Sequence, residues 1–102
     1  MIRVAAVYPR QPGRKFDLDY YINVHLPDVH KKFSPFGLIK IEVDKPLESP
    51  GRDQSPFFAI GYLYFSSLVD FRKAYVSAGA QVIADIARYT DVIPMIQVGE
   101  TI

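Results

Sequence analysis

DLDYYINVHLPDVHKKF, residues Asp17 to Phe33, has the spacing of an amphipathic helix with a histidine on its apolar side. Successive residues of a helix turn by about 100°. Leu18, Tyr21, Ile22, His25, Val29 and Phe33 then share about a third of the circumference, while Asp19, Tyr20, Asn23, His30 and Lys31 point elsewhere. Asp17 is placed to cap the helix, following the turn-rich PRQPGRK. Pro27 has no N–H for the carbonyl of Asn23 and crowds it, which predicts a kink or short break near residues 23 to 27 and a cleft beside the imidazole.

Working outward, Ile2 to Tyr8 reads as a strand apolar on both faces, and Pro9 to Lys15 as a loop carrying Arg10, Arg14 and Lys15. Beyond the helix, Ser34 to Gly37 breaks the pattern. Leu38 to Lys45 alternates, with Ile39, Ile41 and Val43 against Lys40, Glu42 and Asp44, as suits a sheet edge. Pro46 to Pro56 is a long polar loop, and Phe57 to Phe65, apolar on both parities, is a central strand whose Ala59 and Gly61 leave room on one face. Ser66 or Ser67 caps a second helix with a core stripe of Leu68, Phe71, Tyr75 and Ala78; Gly79 is expected to end or bend it, with a further short helical piece from Val82 to Ala87. Ile93 to Glu100 is a last strand, and Pro94 within it assigns it to an edge or a bulge.

Two central and two edge strands in the order strand, helix, strand, strand, helix, strand define an α+β chain. The arrangement is a ferredoxin-like βαββαβ protomer with a four-stranded antiparallel sheet in the spatial order 4-1-3-2. Two helices cover one face of such a sheet, yet the central strands are apolar on both, so a homodimer through the second face is expected.

Composition sets the remaining bounds. The 102 residues, 1–102, make one domain; 49% hydrophobic content with 7 Tyr and 7 Phe argues against disorder, and a formal charge of +1 with no basic run argues against nucleic acid. The absence of cysteine excludes disulfides, thiolate metal sites and a cysteine nucleophile. No stretch has the length of a membrane span or signal peptide, so the expectation is a soluble cytoplasmic protein with no membrane partner.

FDLDYYINVHLPDV after a strand ending in YP, the GL…E second strand, FFAIGYLYFSSLVDF and the closing YTDVIPMIQVGE together resemble the EthD-domain family of the dimeric α+β barrel superfamily. The resemblance spans essentially the whole chain. It implies a ferredoxin-like protomer paired with a twin subunit and a pocket between sheet and helices. Tyr20, Tyr21, His25 and Pro27 match the family motif. The wider superfamily includes cofactor-free monooxygenases, lactone isomerases, polyketide cyclases and dehydratases, and haem proteins.

No G-x-G-x-x-G fingerprint is present, and His25 and His30 fall about 140° apart on a regular helix, so neither a nicotinamide nor a metal site is expected, and no cofactor. Acid–base chemistry remains. Burial holds an imidazole neutral, the form that accepts a proton, and Tyr21 one turn earlier is placed to orient it or donate to a developing enolate oxygen. His25 and Tyr21 are therefore the candidate catalytic residues, and Tyr20, Tyr8 and Tyr62 the candidate substrate-binding residues. Two readings stand: a cofactor-independent enzyme of isomerase, cyclase, dehydratase or monooxygenase type acting on a small hydrophobic cyclic or aromatic compound, or a non-catalytic binding protein or oxidoreductase accessory protein holding such a compound. In the second, His25 is a core residue bonded to a backbone carbonyl.

Overall fold

A computed structural model describes residues 1–102. Strand β1 (Ile2–Pro9) leads to a helical run made of α1 (Leu18–Tyr20), a π-helical turn (Tyr21–His25) and α2 (Leu26–Phe33), closed by a 3-10 turn (Ser34–Phe36). Strands β2 (Leu38–Asp44) and β3 (Phe57–Phe65), helix α3 (Leu68–Ile86) and strand β4 (Met95–Glu100) follow. The sheet is antiparallel in the order β2-β3-β1-β4, the expected arrangement read from the other edge.

The central strands pair along their whole length, Ile2 opposite Phe65 through Tyr8 opposite Ala59, with a bulge between Tyr8 and Pro9. Val4, Tyr8, Ala59, Leu63 and Phe65 are buried beneath the helices. On the far side, Tyr62 donates to Asp44 at 2.9 Å and Tyr64 to Glu42 at 2.7 Å. Two apolar clusters fill the helix-facing layer. One surrounds Val4, Val29, Phe33, Leu63 and Phe65. The other is the aromatic group of Tyr8, Tyr21 and Tyr89 with Leu26 and Ala59.

Four local expectations are corrected. Pro27 does not break the first helix: Leu26 N–H bonds to the carbonyl of Tyr21, five residues back, so the backbone widens by one residue and Pro27 enters α2 within its first turn. The widened turn shifts the hydrogen-bond ladder by one residue just where Pro27 has no N–H to contribute. Gly79 does not end α3, which runs through it and absorbs the piece expected from Val82. Pro94 lies just outside β4, whose pairing begins at Met95 opposite Val7. In β2 a register shift between Leu38 and Lys40 leaves Ile39 half exposed and puts Leu38 in the core instead.

Candidate active site

Asp17 starts the first helix by accepting the backbone N–H of Tyr20 at 3.0 Å, which sets the direction of the two tyrosines that follow. In a regular helix Tyr20 and His25 would lie about 140° apart. The π-helical turn closes one loop of backbone with five residues rather than four. Both side chains reach a single partner as a result: Tyr20 Oη donates to Asp85 Oδ1 at 2.9 Å, and His25 Nδ1 lies 2.9 Å from Asp85 Oδ2. Asp85 comes from the last turn of α3.

The tautomer follows from electrostatics. Partial burial pushes the Asp85 carboxyl upward, but the hydrogen bonds from His25 and Tyr20, with the Arg88 charge, hold it below its ordinary value, so it is an ionised acceptor. Nδ1 must then carry the proton and donate. Burial lowers the His25 pKa against the opposing pull of Asp85, so the ring is neutral near pH 7 and its lone pair is on Nε2. Nε2 has no hydrogen-bond partner in the chain and is not sealed from solvent.

Around this pair the aromatic rings pack closely. His25 stacks on Tyr21 with centroids 5.7 Å apart and lies 4.7 Å from Tyr89. Tyr8 and Tyr89 share a hydroxyl–hydroxyl bond of 2.6 Å. Phe16 meets Tyr8, Tyr21 and Tyr89 edge-on at 5.0 to 5.4 Å. Burial raises the Tyr8 pKa to about 12 and raises those of Tyr21 and Tyr89 further, so all three remain protonated phenols. Tyr21 is 1% exposed, and its hydroxyl, without a partner in the chain, lies over Gly61, where any Cβ would overlap it.

The structure thus brings together Tyr8, Tyr20, Tyr21 and His25. It places Tyr62 apart, on the opposite sheet face with Asp44. The expected cleft beside the imidazole is not opened by Pro27: the side chain is 5% exposed. A cleft of about 410 Å³ is lined by Tyr89 with Phe16, Arg88 and Asp91 among others, and His25 is not part of its lining. Sequence reasoning did not single out Asp85 or Tyr89. For Asp85 a signal was available. It continues the core-facing stripe of α3, which is Phe71, Ala74, Ala78 and Val82 and not the expected Leu68, Phe71, Tyr75 and Ala78, since Leu68 and Tyr75 are exposed; a carboxylate on that stripe at the end of a helix where the dipole disfavours it needs a partner.

Comparison with solved structures places the chain beside an EthD-like protein from Ralstonia eutropha JMP134, with 31% identity, a TM-score of 0.89, and coverage of 97% of this chain and 89% of that one. An ethyl tert-butyl ether D family protein from Bacillus halodurans C-125 superposes with a TM-score of 0.70 at 19% identity, covering 100% of this chain and 99% of that one. SnoaB, a cofactor-independent oxygenase from Streptomyces nogalater, shares the fold at 10% identity and a TM-score of 0.60, covering 98% of this chain and 90% of that one. No family profile and no curated protein sequence matches the chain.

Proposed function

The chain belongs to the EthD-like family, and from that premise we propose that it binds a small hydrophobic cyclic or aromatic compound and moves a proton on it without a cofactor. The observation that carries this reading is the Nδ1–Asp85 bond of His25, which leaves an unpartnered basic Nε2 on a buried, neutral imidazole. Nε2 takes the proton from an acidic C–H or O–H of the substrate; the imidazolium so formed keeps its Nδ1–H on the Asp85 carboxylate, which stabilises the new charge. Tyr20 holds the other carboxylate oxygen. The free Tyr21 hydroxyl is the donor for the oxygen on which negative charge develops. Returning the proton to another carbon completes an isomerisation; giving it to a departing β-hydroxyl releases water, a dehydration; and attack of the carbanion on a carbonyl carbon, with the proton returned to the resulting alkoxide, closes a ring. SnoaB, described as a cofactor-independent oxygenase, provides a precedent on this fold for chemistry without a cofactor.

Solvent deuterium exchange into the α-carbons of a cyclic ketone, followed by NMR, tests the assignment. The wild-type protein should accelerate exchange, and His25→Gln should lower the rate by roughly 10²-fold while keeping the fold. A second reading, in which the protein holds its ligand without transforming it, is favoured by the close packing of the His25 side chain, 5% exposed. Unchanged exchange in a destabilised His25→Gln protein rejects a catalytic His25 and leaves this second reading.

A further inference from the structure

A second site lies in the loop after β1, away from His25. Arg10 is tied down at three points: its backbone N–H bonds to Pro56 O at 2.8 Å, its Nε donates to Ser55 O at 2.9 Å, and its guanidinium lies 4.8 Å from the centroid of Phe58. Phe58 is itself stacked on Phe16 with centroids 5.6 Å apart, which fixes the ring beneath the guanidinium. Held in this way, its two terminal nitrogens bond to no protein acceptor.

Arg14 faces the same space across a turn closed by Arg14 N–H to Gln11 O at 3.1 Å, with Gly13 at φ +74°. Only Gly adopts that backbone readily. Arg14 is paired with Asp91 at 3.7 Å, both half exposed, which is a weak contact in water. The cleft between the two arginines has a volume of about 480 Å³ and is lined also by Gln11, Gln54, Pro12 and the Phe58 ring, with no acidic side chain. A volume of this size is in the range that holds a small organic molecule. An immobilised guanidinium with free terminal N–H groups matches a carboxylate in plane, and does so with little loss of side-chain freedom.

We infer that this cleft binds a small organic carboxylate, its charge on Arg10 and Arg14 and its apolar body against Pro12 and the edge of Phe58. The two glutamines supply neutral donors at the rim. Because the net charge of the chain is only +1, a two-arginine cleft is a local feature and not part of a generally basic surface.

The test is an NMR titration of the purified full chain with benzoate, with benzamide as the neutral counterpart and inorganic phosphate as the simple anion. Benzoate should shift the Arg10 Nε–H signal and the Gln11, Gly13 and Gln54 amides. Arg10→Gln and Arg14→Gln should each weaken benzoate by about tenfold, the loss expected for one charge-assisted bond. Benzamide should bind at least about tenfold more weakly on the same argument, and His25→Gln should leave benzoate unaffected, which separates this site from the proton-transfer site. Arg14→Gln is at an exposed turn and keeps the fold. Equal binding of benzamide or phosphate, or benzoate binding indifferent to both arginine variants, overturns the assignment.

Discussion

At the scale of single residues, the site depends on two polar groups whose protonation is unfavourable in the folded chain. His25 is held below its usual 6.5 and Asp85 below its usual 3.8. For both, the unfolded chain takes up protons first as pH falls, so stability rises with pH through each window and is lost on acidification. Denaturation midpoints should therefore decline in two stages, the first beginning near pH 6.5 and the second below about 3.8; His25→Gln should remove the first stage and keep the second. Gly61 sets a different constraint. Gly61→Ala should cost about 1–3 kcal/mol by forcing its methyl against the Tyr21 hydroxyl. Tyr21→Phe in the same chain should recover most of that, since the remaining ring carbon lies 3.5 Å from the added Cβ, an ordinary contact. Chemical denaturation of the two single variants and the double variant measures the coupling. His25 and Tyr21 were readable in sequence because both repeat with the apolar stripe of one helix. Asp85 was not paired with them because their meeting depends on how two helices 60 residues apart are docked, which no local pattern encodes.

At the scale of elements, the π-helical turn is what allows Tyr20 and His25 to share one carboxylate. It also accommodates Pro27, whose position was correctly read as disturbing the helix but whose effect is a widened turn and not a break. Proline's demand can be met either by ending the hydrogen-bond ladder or by shifting it by one residue, and sequence spacing does not decide between these. Deleting the half-exposed Val24 would put Tyr20 and His25 four residues apart, again on one face of a regular helix. The same deletion would bring Pro27 into the α-helical interior, its ring against the carbonyl of Ile22, at a cost of about 3 kcal/mol or more. Chemical denaturation should show that loss for the deletion alone and recovery of most of it when Pro27→Ala is added.

At the scale of the molecule, sheet order was readable because burial differs between strands: IRVAAVY and FFAIGYLYF are apolar on both parities, while LIKIEVD alternates. The face of the sheet away from the helices carries Ala5, Val7, Ile60, Tyr62 and Tyr64, all partly exposed in a single chain. Covering it with a twin subunit would bury several large side chains, each contributing roughly 1.5–3 kcal/mol. We therefore expect a homodimer, and sedimentation at micromolar concentration should show twice the chain mass of 11.6 kDa. A species at the chain mass alone would reject this. No helix is long and apolar enough to cross a membrane.

The crowding of phenols around His25 has an optical consequence. The chain contains no tryptophan and 7 tyrosines, and Tyr8, Tyr20, Tyr21 and Tyr89 all belong to the site, joined by hydroxyl bonds and ring contacts. Near-ultraviolet absorbance, circular dichroism and intrinsic fluorescence therefore originate largely in the residues that would meet a ligand. Binding of the proposed ligand should therefore change the protein's own spectrum, with no label attached.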